Sequence, residues 1–438
     1  MFVSKFRRAS LGALFSIVLA ASAALAGDRR PSSDVIIEWN ALLQQFQAGQ
    51  PFTQIRGYAL LHVAMSDAVV SIDGTYNPFQ FHVRAHSGAS AEAAAAQAGH
   101  DVFYALVTTP EGRAAADAAL MARVGKIPAG PRLKGMDVGG TIAAKWLAAR
   151  QNDGYAIANP QPATLLPSTL PGIWRPTPSG AYQFSNMGVV TPFGLLTPGQ
   201  FLPAPFPQID GPDYAEDLNE VKRVGRAAGG PVAPERTEAQ GRFAQLFAAS
   251  PGTIYFNMTN PLRLWSNVTG DMARQHGLSL AGTARLFALT MVSMNDSLVT
   301  SQYSKEVYRL WRPETAIANA DVDNNPLTEA EAGWRPHIIT PPYPAYASNM
   351  TCLGAGGSRM LANVLGSDAQ TFTAKWTLAD GTVVWAEPYT SLWQLGDDEA
   401  NSRIWGGIHF RFDIDESQVS CVQVADYLFD HYMRRTKR

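Results

Sequence analysis

The chain has 438 residues, of which 46% are apolar, and its formal net charge at pH 7 is -2. A chain of this length and composition can bury one or two sizeable hydrophobic cores. The near-neutral charge argues against nucleic acid or an anionic membrane surface as a partner, so any concentration of positive charge must be local.

The first 26 residues have the features of an export signal. Lys5, Arg7 and Arg8 precede an apolar run over residues 11–25, and Ala24-Leu25-Ala26 has the small-residue pattern of a cleavage site. We predict a cleaved signal peptide over residues 1–26 and a periplasmic or secreted mature protein. The run is short for a retained membrane anchor, and the adjacent arginines also fit a twin-arginine signal.

No later stretch is predicted to span a membrane. The most apolar helix candidate, residues 278–299, contains Arg285, Asn295 and Asp296. Charged side chains are costly inside a bilayer, so we expect a mature chain without a membrane span.

Residues 27–158 are predicted to form an N-terminal helical bundle, because apolar residues recur there at helical spacing, as in Tyr58, Leu61 and Met65. Residues 159–213 differ in composition, since twelve of the chain's 29 prolines lie between positions 160 and 212. Proline at this density excludes regular helix and central strand. The interspersed aromatic residues favour an ordered connecting segment that wraps other parts of the chain.

Helical periodicity returns in residues 214–438, most clearly over 278–305. No series of alternating strands and no fixed-period repeat is found, and only Val383-Val384-Trp385 suggests a short strand or an extended loop. The sequence therefore predicts a mainly α fold of two helical bundles joined by the proline-rich segment.

The first of three chemically informative segments contains Lys305 and Arg312. Their spacing of seven residues corresponds to two helical turns, which places both cations on one helix face. Pro313 disfavours helical backbone at the residue before it, so we expect the helix to end at Arg312 with the guanidinium at the rim of that face. Taken alone, the pattern also fits a solvated basic face.

The second segment, residues 341–350, begins with prolines that keep the backbone extended and then offers Ser348 or Asn349 as a helix N-cap. The first turn of a helix presents free backbone N–H groups and the positive end of the helix dipole, and both suit an anion. By itself the segment indicates only the start of a helix.

The third segment, residues 402–413, is the most specific. Arg403 and His409 are six residues apart, so an unbroken helix would separate them, whereas Gly406 and Gly407 permit a turn that brings both to one point. Asp413 follows His409 by one helical turn, where a carboxylate can fix the imidazole tautomer and raise its basicity. We therefore favour a functional role for this histidine over a structural one.

In this order, the three segments resemble the K-x6-R-P, P-S-G-H and S-R-x5-H-x3-D motifs of the vanadium-dependent haloperoxidases and the type 2 phosphatidic acid phosphatase superfamily. The first and third motifs match completely. Residues 62–68 are also similar to an early helix of bacterial haloperoxidases, and residues 286–313 follow the family's long helix into the first motif. The resemblance covers most of the mature chain and implies the vanadium chloroperoxidase-like (acid phosphatase/haloperoxidase) fold.

The resemblance also implies an anion pocket in the C-terminal bundle. Lys305, Arg312 and Arg403 would neutralise the oxygens of vanadate or phosphate, and Ser348 and the backbone N–H of Asn349 would donate further hydrogen bonds.

The same resemblance gives His409 the chemical role. It would be the axial ligand of vanadium or, in a phosphatase, the nucleophile that forms a phosphohistidine, and Asp413 would hold its ring.

The second motif departs from the family pattern. Where P-S-G-H is expected, the chain has Ala347-Ser348-Asn349-Met350, so the glycine and the family's acid–base histidine are absent. Methionine cannot transfer a proton, and general acid–base catalysis is worth about 10²- to 10⁴-fold. We expect binding to survive while turnover is reduced or altered. Gln302 stands where many relatives carry tryptophan, so the pocket wall is also expected to differ.

Three functions stay open. The first is a vanadate-dependent haloperoxidase-like oxidoreductase that uses hydrogen peroxide to oxidise a halide. The second is an exported acid phosphatase for soluble phosphomonoesters, and the third is a non-redox or non-catalytic oxyanion binder. Family coverage favours the first, and the loss at Met350 strengthens the third. All three imply an inorganic oxyanion or small-molecule partner, whereas the halide, the organic substrate and the oligomeric state are not determined by the sequence.

Other polar residues carry weaker expectations. His62 and Asp67 are predicted to serve packing and capping, and His337 could line the entrance to the pocket. Cys352 follows a helix start and lies near the cations, which would lower the pKa of an exposed thiol and make it reactive. In an exported chain Cys352 and Cys421 could also form one disulfide, but their proximity cannot be deduced from the sequence.

Overall fold

A computed structural model describes residues 33–47, 51–156, 168–177, 180, 182–248, 260–378 and 382–437. The predicted export signal lies outside these residues. The described chain is mainly helical, as the sequence predicts, and its regular elements are α1 (Asp34–Phe46), α2 (Pro51–Asp73), α3 (Ala91–Leu106), α4 (Pro110–Val124), α5 (Ala129–Ala149), α6 (Pro212–Val224), α7 (Glu238–Ala248), α8 (Pro261–Gln275), α9 (Leu280–Tyr308), α10 (Pro313–Ala318), α11 (Asn349–Leu365), β1 (Phe372–Thr377), β2 (Val383–Tyr389), α12 (Leu392–Trp405) and α13 (Arg411–His431).

Helix starts follow local capping rules. The hydroxyl of Ser90 accepts a hydrogen bond from the backbone of α3, Ser279 does the same for α9, and Ser391 does so for α12. Each such cap is worth about 1 kcal/mol, because it satisfies a backbone N–H that has no partner inside the helix. The starts of these three helices are therefore encoded locally.

The two predicted bundles share one hydrophobic core. Helix α9 is buried along nearly its whole length, and it packs against α2 of the N-terminal part and against α11 and α13 of the C-terminal part. One continuous cluster of buried side chains joins these helices. The core therefore fixes the position of the end of α9, which carries Lys305.

Two buried carboxylates tie loops to this core. Asp67 accepts backbone hydrogen bonds from Phe79 and Phe81 and another from the indole of Trp146. Asp296 on α9 accepts backbone hydrogen bonds from the proline-rich segment, at Phe193, Gly194 and Leu195.

His62 is a packing residue of the same core. It stacks on Phe287 at 4.6 Å between ring centroids, and its Nε2 lies 3.1 Å from Oδ1 of Asn40. The structure therefore gives His62 the packing role, and Asp67 the capping role, that the sequence predicts.

The sequence predicts only one of the two strands of a β-hairpin. Strand β2 contains the predicted extended residues 383–385, and it pairs antiparallel with β1, with Phe372 opposite Tyr389 and Trp376 opposite Trp385. In β1 the buried residues alternate with exposed ones over only six positions. Such a short alternation is hard to distinguish from a loop without its partner strand.

Helix α2 contains the one stretch, Phe52–Asp73, in the described part of the chain whose length and composition would allow it to cross a membrane. In this structure 89% of its most apolar window is buried inside the protein.

Candidate active site

The residues of the three sequence motifs come together at the junction of five elements. Lys305 lies in the last turn of α9 and Arg312 just before α10, while Ser348, Asn349 and Met350 begin α11. Arg403 lies in the last turn of α12, His409 in the loop after it, and Asp413 in the first turn of α13. All eight are buried, and Met350 is the most exposed at 8%.

The predicted path of the first motif is wrong in one respect. The helix ends at Tyr308 rather than Arg312, because Arg309 adopts left-handed backbone angles, with φ 51°. Arg312 instead caps α10, which has Pro313 in its first turn. Proline favours the first turn of a new helix as well as ending an old one, and here it does the former. Lys305 and Arg312 thus reach the site from a helix and an extended segment.

Backbone carbonyls hold the first two cations in place. Nζ of Lys305 donates to the carbonyl of Ala345 at 2.7 Å and also to that of Ala347. Arg312 donates from Nε to the Tyr343 carbonyl at 2.8 Å, and its buried Nη2 has no hydrogen-bond partner among the described residues. The unpartnered Nη2 leaves a buried donor available for an anion.

The third motif turns as the sequence predicts. After α12 the backbone reverses at Gly407, whose φ is +80° and where a Cβ would lie 2.3 Å from the carbonyl oxygen of Gly225. Only glycine fits such a position. The turn brings His409 back to the cations, and Nη1 of Arg312 lies 2.9 Å from Nε2 of its imidazole.

The ring of His409 is fixed in one tautomer. Its Nδ1 forms a hydrogen bond with Oδ2 of Asp413, and Nε2 faces a guanidinium that can only donate. Burial, followed by the charges of Arg312, Lys305 and Arg403, holds the pKa of His409 well below its ordinary value. The imidazole is therefore neutral, with the proton on Nδ1 and the lone pair of Nε2 directed at the cations.

The positive charge of the cluster lacks a carboxylate partner among the described residues, and burial, followed by the charge of Arg312, lowers the pKa of Lys305 well below its ordinary value. Among the described residues, no carboxylate oxygen lies within 4.0 Å of a nitrogen of Lys305, Arg312 or Arg403. Burial raises the pKa of Asp413 to about 7 and that of Glu399 to about 8, so neither is a full negative charge at neutral pH. Buried charges normally have partners of opposite charge. A bound anion would supply that partner for this cluster.

The start of α11 contributes hydroxyl and amide groups. Oγ of Ser348 accepts from Oγ1 of Thr351 at 2.9 Å, so its own proton can be donated elsewhere. Oδ1 of Asn349 accepts from Ser301 on α9 at 2.8 Å. Met350 offers no proton to the site.

Three polar residues near the site were not assigned a role from the sequence. The ring of Tyr343 lies over the charged ends of Lys305 and Arg312, and Oγ of Ser417 accepts the backbone N–H of Ser348 at 2.8 Å. Glu399 precedes Arg403 by one turn of α12, and its Oε2 accepts from the indole of Trp265 at 2.7 Å. These residues share no short sequence motif. The one pattern that could have pointed to any of them is the i, i+4 spacing of Glu399 and Arg403.

Several secondary expectations are corrected. Cys352 and Cys421 are free thiols that pack in one buried cluster. Cys352 is fully buried, and burial raises the pKa of its thiol well above the ordinary value instead of lowering it. It is therefore not an accessible nucleophile.

The environments of His337 and Gln302 also differ from those the sequence suggests. His337 lines a cavity of about 370 Å³ beside α7. The same helix contacts the site, because the carbonyl of its Ala244 accepts a hydrogen bond from Arg403 at 3.4 Å. Gln302 is fully buried on α9, and within the described ranges neither polar atom of its side chain has a hydrogen-bond partner.

The arrangement suits an oxyanion better than a bare metal cation. Within the described ranges no group of three or more His, Cys, Asp or Glu side chains could hold a metal ion. The site instead combines three cations, a hydroxyl and the lone pair of one imidazole nitrogen, and Arg312 retains an unused donor. These groups fit a tetrahedral oxyanion such as vanadate or phosphate.

Comparison with solved structures identifies the fold. The chain is similar to a bacterial vanadium-dependent iodoperoxidase, with 22% identity, a TM-score of 0.74, and coverage of 94% of this chain and 99% of the other. It is also similar to the holo form of a bacterial vanadium-dependent chloroperoxidase, with 15% identity, a TM-score of 0.70, and coverage of 93% and 98%. An apo bacterial vanadium-dependent chloroperoxidase matches with 14% identity, a TM-score of 0.61, and coverage of 86% and 92%.

Sequence comparison is narrower. No curated protein matches the chain, whereas the family model described as the VCPO second helical-bundle domain matches residues 285–438. That range contains all eight site residues predicted from the motifs. The chain therefore has the fold of these bacterial vanadium-dependent haloperoxidases, and its residues 285–438 match the VCPO second helical-bundle domain.

Proposed function

We propose that the protein is a vanadate-dependent haloperoxidase-like oxidoreductase that uses hydrogen peroxide to oxidise a halide. The observation that carries the proposal is the buried cluster of Lys305, Arg312 and Arg403, which has no carboxylate within ion-pair distance in the described chain. The lone pair of His409 faces the same point. An oxyanion bound there would offset the charge and accept that lone pair.

Each residue has a defined task in this proposal. Lys305, Arg312 and Arg403 bind the anion's oxygens, and Ser348 donates a further hydrogen bond. His409 would hold vanadate through Nε2. When bound, vanadate supplies the Lewis acid that activates peroxide toward halide.

Asp413 acts through His409. By accepting a hydrogen bond from the Nδ1–H group it keeps the ring proton on Nδ1 and the lone pair on Nε2, and it orients the ring toward the cations. The protein thus holds the imidazole ready before the anion binds, and no tautomer change is needed.

The proposal includes export. Residues 1–26 have the composition of a cleaved signal, which would bring the protein to the periplasm or outside the cell. The N-terminal sequence of protein recovered from the periplasm or medium would begin near residue 27, and an intact Met1 there would contradict this part of the proposal.

Anion binding is tested first. Titration calorimetry should show that orthovanadate and phosphate compete for one site in the wild type, and that Arg403→Ala weakens both. Peroxide-dependent oxidation of iodide, bromide and chloride is then measured with vanadate present. Oxidation of any halide that requires vanadate supports the proposal, and anion binding without oxidation contradicts it.

A second function is favoured by one observation. The Nε2 lone pair of neutral His409 is also suitable for attack on phosphorus, as in a soluble acid phosphatase. Hydrolysis of nitrophenyl phosphate without vanadate, inhibited by added vanadate, would favour this function. If neither activity is detected while the anion still binds, the remaining function is that of an oxyanion binder, which agrees with the absence of a proton-transfer group at Met350.

A further inference from the structure

The cavity of about 370 Å³ beside α7 has no part in the proposed function. Its volume falls within the range of sites that hold small organic molecules, about 300–1,000 Å³. The polar and charged residues that line this α7 cavity include Arg236, Thr237, Glu238, Arg242, Gln245 and His337. The side chains of Glu238 and Arg242 are 91% and 42% exposed, so the cavity reaches the protein surface and a ligand can enter it.

The lining of the α7 cavity has more positive than negative charge. Nη1 of Arg236 donates to the backbone carbonyls of Val224 and Arg226, at 2.8 and 2.6 Å, and in the described chain no carboxylate oxygen lies within 4.0 Å of the Arg236 nitrogens. Glu238 is the one carboxylate among the described lining residues, and it pairs with Arg242 at 3.3 Å. The carbonyls hold the Arg236 guanidinium in place but leave its charge without a partner, so the lining favours an anion.

Two of the lining side chains converge on Gly241 of α7. A Cβ added there would lie 3.0 Å from Nε of Arg236 and 3.4 Å from Nε2 of His337, so both side chains lie against this one position of the helix. Nε2 of His337 lies 3.0 Å from the Gly241 carbonyl, which can only accept a hydrogen bond. Burial, followed by the charge of Arg236, lowers the pKa of His337, so its ring is neutral at neutral pH. The excess charge of the lining is therefore a single positive charge, at Arg236.

The α7 cavity lies close to the cation cluster. Ala244 follows Gly241 by one helical turn, and its carbonyl accepts from Nη2 of Arg403 at 3.4 Å. On the other wall, Ile338 is the residue after the lining histidine, and its backbone N–H donates to the Gly406 carbonyl at 3.1 Å. The same two segments therefore line the cavity and support the candidate active site.

We propose that the α7 cavity is a binding site for a small organic carboxylate, which Arg236 and Arg242 would hold. A single excess positive charge suits a monoanion, and the volume is larger than an inorganic anion needs. None of the three sequence motifs assigns this site. Binding there does not depend on the proposed function, although a molecule bound in the cavity would lie beside the place where that function puts halide oxidation.

Titration calorimetry with benzoate tests the site, and benzamide is the uncharged control ligand. The wild type should bind benzoate, and Arg236→Gln should weaken this binding about 10- to 150-fold, because a hydrogen bond between charged groups is lost. Arg223→Gln is the matched control and should bind benzoate as the wild type does, since Arg223 pairs with Glu235 and does not line the cavity. Equal benzoate affinity of the two variants would overturn the inference. Benzamide binding as tight as that of benzoate, or no benzoate binding by the wild type, would also overturn it.

An NMR measurement on the wild type covers a variant that does not fold. Benzoate should shift the imidazole resonances of His337, assigned by comparison with His337→Gln, and unchanged resonances would overturn the inference. Arg312→Lys should lose orthovanadate affinity while it keeps benzoate affinity, and a parallel loss would place benzoate in the cation cluster and overturn the inference. A wild type that binds benzoate but not orthovanadate would contradict the proposed function alone.

Discussion

Nη1 of Arg312 lies 2.9 Å from Nε2 of His409, and the same Nη1 donates to the carbonyl of Ile408 at 2.9 Å. The guanidinium therefore covers the imidazole nitrogen that the proposed function requires. An anion that binds there must take over this contact, with Arg312 turning its donors toward the anion's oxygens.

Arg312→Lys tests the planar arrangement of these donors. Lysine keeps the charge but lacks the planar, rigid set of N–H donors. It cannot donate to the Tyr343 carbonyl, the Ile408 carbonyl and an anion at the same time as arginine can. We expect orthovanadate affinity to fall about 10- to 150-fold in titration calorimetry. Arg411→Lys is the control, because Arg411 pairs with Glu220 outside the site. Equal affinity of the two variants would argue against a role for the fork.

Asp413→Asn tests the tautomer of His409. An asparagine amide can donate to Nδ1, which would move the ring proton to Nε2 and remove the lone pair that binds vanadium. Orthovanadate affinity should fall about 10- to 100-fold, and imidazole ¹⁵N chemical shifts should report the proton on Nε2. Asp415→Asn changes an exposed carboxylate of the same helix and should alter neither. An unchanged tautomer with weakened binding would contradict this explanation.

Met350→His combined with Asn349→Gly should restore the acid–base group that the family resemblance places there. Lys305, Arg312 and Arg403 already provide the charge for binding, so turnover should rise about tenfold or more while affinity changes little. Met350→Leu combined with Asn349→Gly is the matched control, since leucine cannot move a proton. If the histidine variant folds and binds vanadate without any gain, Met350 does not occupy the acid–base position.

Glu399→Gln should change how stability depends on pH. Burial raises the pKa of Glu399 from 4.5 to about 8, so between these values the folded protein holds a proton that the unfolded chain releases. The wild type should therefore lose stability relative to the variant as pH rises from 5 to 8, by at most about 1.4 kcal/mol per pH unit.

Urea unfolding in phosphate-free buffer at several pH values measures this difference for Glu399. Glutamine keeps an oxygen acceptor for the indole of Trp265, so the packing is preserved. Glu238→Gln, at a side chain that is 91% exposed, is the control and should show no such trend. Parallel curves for the wild type and Glu399→Gln would show that this carboxyl ionises normally.

Much of the site could be predicted from short-range patterns. Ser348 caps α11, the glycine turn brings His409 back toward Arg403, and Asp413 lies one turn beyond His409. These features depend on backbone preferences and on hydrogen bonds between residues close in the chain. They can therefore be predicted from the sequence alone. Pro313 was the exception, because proline permits either the end of one helix or the start of the next, and the extended chain at Leu310 pairs with Ile173.

The sequence by itself determined the mainly helical class, and it predicted a cluster of three cations, a histidine and the aspartate that contacts it. Only the tertiary structure decided that the cations have no carboxylate partner in the described part of the chain, that Tyr343 and Glu399 lie nearby, and that Cys352 is buried. These properties depend on burial and on contacts between residues far apart in the chain. Periodicity and capping describe neighbours along the chain, whereas desolvation and charge balance are set by neighbours in space.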